Sequence, residues 1–152
     1  QNFKNQKGYG FEGELSWKSD NHVWEANYSW QKSEDKNTSI EIPLAPQQLF
    51  HAIYYFDYSE QISLNAKMNW IGDRDREVGD TRDPLDSFST IDLAIHWKIG
   101  TLEQWKLSLI GKNIFDENAY EPTHPLVPAV LGPISDYPIQ GRSVYLQLST
   151  NL

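Results

Sequence analysis

The residues with the greatest capacity for chemistry lie between positions 73 and 86, where carboxylates alternate with guanidinium groups. This segment contains Asp73, Arg74, Asp75, Arg76, Glu77, Asp80, Arg82, Asp83 and Asp86. Such carboxylates could hold calcium, but glycine falls at the seventh position rather than the sixth, and Pro84 stands where a calcium loop needs its bidentate glutamate. The spacing therefore favours a solvated loop whose charges neutralise one another over a metal site.

The other residue types used in catalysis do not fall at the spacings that catalysis requires. There is no cysteine, and none of the four histidines has the spacing of a metal ligand. No nucleophile elbow, phosphate loop or zinc motif occurs. Glu12 and Glu14 share a strand face, which the polarity of a water-facing surface explains. The sequence predicts a protein that is not an enzyme and has no metal site and no cofactor.

Length, composition and charge exclude several classes of protein. The 152 residues suit one domain, and a net charge of −8 opposes nucleic-acid binding, which needs a basic surface. The longest apolar run, 52–56, is far shorter than the roughly 20 residues of a transmembrane helix. Yet the chain has 6 Trp, 8 Tyr and 6 Phe, more rings than a small soluble core requires. These aromatic side chains need another explanation.

Seven segments alternate apolar and polar residues with a period of two, which is the period of a β-strand. They are 11–18, 24–31, 50–58, 62–70, 91–99, 105–112 and 143–148. Short connections (19–22, 59–61, 100–103) alternate with long ones (32–48, 73–87, 116–141), and all eight prolines lie in the long ones. Since proline is excluded from the interior of a β-ladder, this placement supports the strand boundaries. The pattern predicts an all-β fold, an antiparallel up-and-down meander of about seven strands.

Tryptophan placement predicts what each face of the sheet meets. All six tryptophans fall on the apolar side of their strands, near strand ends, as do the aromatic girdles that flank the apolar band of outer-membrane barrels, about 25 Å tall. Six apolar residues are predicted to point to lipid: Trp17, Trp30, Leu64, Leu93, Leu107 and Leu146. Four polar residues are predicted to point to a lumen: Asn27, Asn65, Asp92 and Lys106. The pattern favours a transmembrane β-barrel, and a soluble β-sandwich is the alternative.

Short motifs follow one another toward the end of the chain. They are Asn113-Ile114-Phe115-Asp116-Glu117 with Tyr120, then Gly141-Arg142 leading into the final strand. They resemble the Asn-Leu-Phe-Asp…Tyr signature and the closing Gly-Arg strand of TonB-dependent outer-membrane receptors. Upstream, 10–14 and 46–55 resemble a Gly-x-Glu-x-Glu strand and a proline-led strand of that family. The chain departs from the family in ending at Leu152, where an aromatic residue is usual.

The resemblance implies that residues 1–152 form the C-terminal segment of a larger, 22-strand transmembrane barrel, with the plug domain and earlier strands absent. Seven strands alone leave two open edges, which lipid does not permit. It further implies a Gram-negative outer-membrane receptor that imports a scarce ligand, above all an iron–siderophore chelate, with energy from TonB. The implied partners are the rest of the barrel, the plug, TonB through the absent N-terminal part, a small-molecule ligand and outer-membrane lipid.

Candidate ligand contacts are the inward residues at the outer strand ends and the basic residues near the rim. They are Gln31, His51, Asn69, Arg74, Arg76, Lys112 and Arg142. Arginine suits an anionic iron chelate because its donors form charge-assisted hydrogen bonds. The apolar stretch 126–131 is predicted to belong to an ordered cap over the rim. Two other functions stay open: a structural or adhesion barrel without transport, and a soluble carbohydrate-binding β-domain.

Overall fold

A computed structural model describes residues 5–37, 39–99, 104–123 and 135–150. These residues form strands and loops, and none of them is helical. In this part of the chain no helix has the length and apolar character needed to cross a membrane. The strands are β1 (Gln6–Lys18), β2 (His22–Asp35), β3 (Gln48–Asp57), β4 (Ile62–Ile71), β5 (Phe88–Ile99), β6 (Trp105–Lys112), β7 (Tyr120–Glu121), β8 (Tyr137–Pro138) and β9 (Ser143–Thr150).

Seven strands form one antiparallel sheet in the order β1-β2-β3-β4-β5-β6-β9. Each strand lies beside its neighbour in sequence, except that β7 and β8 form a separate two-stranded ribbon inside the last long connection. The predicted all-β meander is therefore confirmed. The ribbon was not predicted, because two-residue strands are too short to show a period.

The first hairpin is longer than the sequence pattern predicts. β1 begins at Gln6 and β2 continues to Asp35, where the side chains on both faces are polar. Trp30 therefore lies in the middle of β2, and the prediction that all six tryptophans lie near strand ends is wrong at this residue. Backbone pairing continues beyond the apolar part of a strand, so periodicity marks the apolar part and not the end of the ladder.

The strand register tests the predicted faces independently. Residues directly opposite each other lie on the same face, and one such row runs through Trp17, Trp24, Tyr54, Ala66, Leu93, Gly111 and Val144. Another runs through Glu14, Asn27, His51, Asn69 and Thr90 on the opposite face. The six ladders thus bring all seven apolar sets to one side. The predicted division into two faces is confirmed.

Within the described residues, no second layer packs against the apolar face. Leu15 and Leu146 are 67% and 73% exposed, and among the described residues the buried apolar side chains are Leu85, Phe88 and Ala119. A β-sandwich would bury the inner face of each sheet against the other. This arrangement is that of a barrel wall. The predicted turn at 100–103, the apolar stretch 126–131, His124 and Leu152 lie outside the described residues.

Candidate functional site

The polar face of the sheet carries three of the predicted ligand contacts. His51 and Asn69 are opposite each other on β3 and β4, and the His51 Nδ1–H donates to Asn69 Oδ1 at 2.6 Å. Gln31 lies four residues further along β2 than Asn27, the partner of His51, and its Nε2 donates to the Pro46 carbonyl at 3.4 Å. The structure thus brings His51 and Asn69 together and leaves Gln31 apart from them.

Two further predicted residues lie where β6 and β9 reach the long connection between them. The Lys112 ammonium lies 5.9 Å from the centre of the Tyr145 ring, within the range of a cation–π contact. Arg142 donates its backbone N–H to Asp116 Oδ1 at 2.8 Å, while its guanidinium is 3.8 Å from Asp116 Oδ2. Because the Arg142 side chain is 59% exposed, this ion pair is screened and leaves the cation accessible to a ligand.

Arg74 is placed differently from the sequence prediction, because it is buried with a relative exposure of 2%. It belongs to the β4–β5 loop, residues 72–87, and contacts the β6–β9 loop, residues 113–142. Its Nη1 donates to Glu121 Oε2 at 3.0 Å, its Nη2 donates to the Tyr120 carbonyl at 3.2 Å, and its guanidinium lies 5.2 Å from the centre of the Phe88 ring. Arg74 therefore connects two loops and does not face solvent.

Arg76 makes a second connection between the same two loops. Its Nη1 and Nη2 donate to the two carboxylate oxygens of Asp136 at 2.8 and 2.6 Å, and its Nε donates to the Asp83 carbonyl at 2.8 Å. Asp136 Oδ1 also accepts from Arg82 Nη1 at 3.1 Å and from the Thr123 N–H at 3.1 Å. Two-pronged arginine–carboxylate pairs are both stronger and more directional than single contacts.

Arg82 is held by both loops. Its Nη2 and Nε donate to the Asp80 carboxylate at 2.6 and 3.0 Å, and its Nη1 donates to Thr123 Oγ1 at 2.8 Å.

The hydrogen bonds from Arg76 hold the pKa of the Asp136 carboxyl well below its usual range. Those from Arg82 lower the pKa of Asp80 to about 2. Both carboxylates are therefore ionised at neutral and at mildly acidic pH.

These two pKa shifts predict that the loop contacts are insensitive to mild acid. A carboxylate with a depressed pKa stabilises the folded state fully above its ordinary pKa, and that stabilisation is lost progressively as pH falls from the ordinary pKa to the folded-state pKa, which is about 2 for Asp80 and is also strongly lowered for Asp136. Hydrogen exchange of the Thr123 amide, corrected for the intrinsic rate, should be unchanged between pH 7 and pH 4.5. The Ile114 amide, which donates to the Ile91 carbonyl at 2.9 Å, is a reference without a titratable acceptor. Faster exchange at Thr123 alone would contradict the prediction.

The Asn113 motif forms a structural clamp at the base of the β6–β9 loop. Asn113 is 4% exposed and has a positive φ of 45°, a conformation that asparagine tolerates better than most residues. Its Nδ2 donates to the Glu117 and Gln140 carbonyls, both at 3.0 Å, and its Oδ1 accepts from the Glu117 N–H at 2.9 Å. Together with the bond between Asp116 and Arg142, these contacts join the two sequence motifs directly.

The residues that sequence reasoning missed are Arg82, Thr123 and Asp136. Arg82 and Asp136 line, with Arg76, a cleft of about 680 Å³ between the two loops, a size within the usual range of small-molecule sites. The partners of Asp136 on the β4–β5 loop are 54 and 60 positions away in sequence. The alternating charges of the sequence indicated the part of the network on the β4–β5 loop. No local pattern indicated the part on the β6–β9 loop. Within the described residues no group of three or more His, Cys, Asp or Glu side chains could hold a metal ion.

Comparison with known proteins identifies the fold. Residues 1–114 match the family model described as TonB dependent receptor-like, beta-barrel. The chain belongs to the TonB-dependent receptor β-barrel family. The predicted membership of this family is thereby confirmed, and the family places this TonB-dependent receptor barrel in the outer membrane of a Gram-negative bacterium.

Solved structures agree with this assignment over nearly the whole chain. The ferric-catecholate import receptor Fiu from E. coli K12, in its open form, superposes with a TM-score of 0.77 at 16% identity, covering 95% of this chain and 21% of that one. The siderophore receptor PirA from Acinetobacter baumannii superposes with a TM-score of 0.73 at 20% identity, covering 93% of this chain and 21% of that one. The ferripyoverdine receptor of Pseudomonas aeruginosa superposes with a TM-score of 0.77 at 15% identity, covering 95% of this chain and 19% of that one.

At these identities the likeness shows the fold alone. The chain of this TonB-dependent receptor barrel spans about a fifth of the length of the receptors it matches. No curated protein matches it in sequence.

Proposed function

We propose that residues 1–152 are the C-terminal wall segment of an active-transport receptor that imports an iron–siderophore chelate with energy from TonB. The observation that carries the proposal is the two-faced single sheet in a family whose matched structures are siderophore receptors, for ferric catecholate and ferripyoverdine among others. A face of exposed leucine and tryptophan suits lipid, and a face of asparagine, histidine and lysine suits a water-filled lumen.

The edges of the sheet support the rest of the receptor as a partner. Within the described residues β1 pairs only with β2, and β9 pairs only with β6. Unpaired backbone N–H and C=O groups cost several kcal/mol each in lipid, by order of magnitude, so both edges require further strands. We infer that these strands, the plug domain and the TonB contact come from other parts of the receptor.

The ligand contacts we propose are the predicted residues, in two roles. Gln31, His51, Asn69, Lys112 and Arg142 contact the chelate directly, because their polar groups lie on the lumen face or at its rim. Arg74 and Arg76 act on the ligand through the loops that they hold, since their guanidinium groups are bonded to Glu121 and Asp136. Lys112 and Arg142 supply the positive charge that an anionic chelate requires.

Uptake of labelled iron tests this function. Iron-starved cells carrying the complete receptor should accumulate radioactive iron supplied as one of three chelates named for receptors whose structures match this chain: a ferric catecholate, ferripyoverdine or ferric yersiniabactin. Deleting either the receptor gene or TonB should abolish that uptake. If the receptor is present in the membrane and none of the three chelates enters in a receptor-dependent manner, the result would favour the alternative function, that of a structural or adhesion barrel without transport.

A matched pair of variants tests the ligand contacts. Lys112→Ala should weaken binding of the transported chelate about tenfold, the effect of losing one charge-assisted hydrogen bond. Lys106→Ala removes an exposed lysine from the same face of the same strand, six residues further from the β6–β9 loop, and should change binding little. Equal effects of the two variants would contradict the assignment of Lys112.

A soluble carbohydrate-binding domain is disfavoured by the same geometry. Such a domain needs a second layer to bury its apolar face, whereas Leu93, Ile95 and Leu109 are 44–48% exposed. The matched family and structures are transport receptors, which also supports a function without catalysis.

A further inference from the structure

Three of the ion pairs described above cross from one loop to the other: Arg74 with Glu121, Arg76 with Asp136, and Arg82 with Asp136. The arginines lie on the β4–β5 loop and the carboxylates on the β6–β9 loop, so these pairs join residues 47, 60 and 54 positions apart. β5 and β6 separate the two loops along the chain, and the loops meet beyond the outer ends of these strands. The contacts are therefore tertiary, and the sheet ladders do not require them.

The arginines of the cross-loop contacts and Asp136 are mostly shielded from water, whereas Glu121 is half exposed. The side chains of Arg76 and Asp136 are 8% and 12% exposed, and that of Arg74 is 2% exposed. Exposed surface pairs contribute little because water and salt screen them, but removing one partner of a buried pair leaves an uncompensated charge. Breaking these pairs therefore costs more than breaking ordinary surface pairs.

Asp136 is the common acceptor of the network. Its carboxylate receives Arg76 and Arg82 from one loop and Thr123 from its own loop. Arg82 also donates to Asp80 on its own loop, so every donor nitrogen of Arg82 is occupied. The arginines at this point bind the loops to each other: all five N–H groups of Arg82 have acceptors, and each nitrogen of Arg76 donates within the network.

We propose that these contacts fasten the β4–β5 loop and the described parts of the β6–β9 loop, residues 113–123 and 135–142, into one rigid unit, which forms a single preformed wall on this side of the outer opening. The two loops then move together or not at all, whichever ligand the receptor carries. Each loop also has contacts of its own: the bridge between Arg74 and Leu85, and the Asn113 clamp. If those were sufficient, each loop would keep its order when the other was released.

Spin labels on the complete receptor in membranes distinguish these possibilities. One label replaces Val78, which is 82% exposed on the β4–β5 loop, and the other replaces the exposed Asn118 on the β6–β9 loop. Asp136→Asn removes the common charge. It should broaden the distance distribution between the labels about twofold and raise the mobility of the label at Val78, which lies on the opposite loop.

Asp83→Asn is the matched control, since Asp83 joins the network only through its backbone carbonyl. It makes the same charge change on the β4–β5 loop and should leave both readouts as in the wild type. If Asp136→Asn prevents insertion, Arg76→Lys takes its place, because it keeps the charge but loses the two-pronged geometry. An unchanged distribution in the inserted variant, or added mobility confined to the β6–β9 loop, would overturn the proposal.

Discussion

Replacing Leu146 with arginine should destabilise the membrane-inserted receptor by about 2–4 kcal/mol, the cost of a cation at mid-depth on the lipid face of a β-barrel. Leu146 is 73% exposed in the middle of β9 and lies opposite Leu109, in a row that continues through Ile95. Because Leu146 makes few contacts within the chain, the loss of stability reports the solvent that surrounds this position and not the packing of the leucine. Urea titration of the receptor in phospholipid vesicles provides the free energy.

Gln147→Arg is the matched control for Leu146→Arg. Gln147 is the next residue on the same strand, is also exposed, and lies opposite Ser108 on the polar face. Its replacement should cost well under about 1 kcal/mol, because the lumen accepts charge. Leu107 is a weaker test position than the sequence predicts, since it lies opposite Trp97 near the aromatic girdle. Equal losses for Leu146→Arg and Gln147→Arg would show that the two faces meet the same solvent.

Replacing Asn113 with alanine should have the second large effect. The change removes three side-chain hydrogen bonds at a buried position and leaves the Gln140 carbonyl and both backbone groups of Glu117 without these partners. At roughly 1 kcal/mol for each bond, the expected loss is about 3 kcal/mol. Alanine also tolerates the positive φ of 45° poorly. The measurement is the thermal or urea midpoint of the receptor, together with hydrogen exchange at Glu117.

The control for Asn113→Ala is Asn118→Ala, five residues further along the same loop. Asn118 is exposed, so the same truncation there should change stability by less than about 0.5 kcal/mol. Asn113→Asp keeps the acceptor for the Glu117 N–H but sets a buried carboxylate oxygen against the Glu117 and Gln140 carbonyls, and should cost at least as much as alanine. A stability loss at Asn118 as large as that at Asn113 would show that the clamp is not what orders this junction.

The sequence predicted the sheet because its signal is local. A period of two sets the face of every residue in a strand, and the six ladders later placed Trp24, Leu93 and Val144 on the predicted side. The ends of β1 and β2 were missed because the period fades where both faces meet water. The β7–β8 ribbon was missed because Tyr120 and Tyr137 belong to strands of only two residues.

The site was less predictable, since its contacts are long-range. Arg74 and Arg76 were predicted at the rim because of their charge, but whether an arginine faces a ligand or another loop depends on what it meets in three dimensions. Asp136 stands in a proline-rich connection with no pattern that relates it to the β4–β5 loop. His51 and Asn69, in contrast, were assigned to one face by alternation, and the register then placed them opposite each other.

The most direct test of the two-faced wall is a spin-label scan along the centre of β5 in the complete receptor in membranes. Labels at Ile91, Leu93 and Ile95 should be accessible to oxygen, which concentrates in lipid, and protected from a water-soluble nickel complex. Labels at Asp92, Ala94 and His96 should show low oxygen access, so that the profile alternates with a period of two. If the nickel complex reaches Leu93 and Ile95 as freely as it reaches Val78 on the outer loop, the sheet is not a membrane wall.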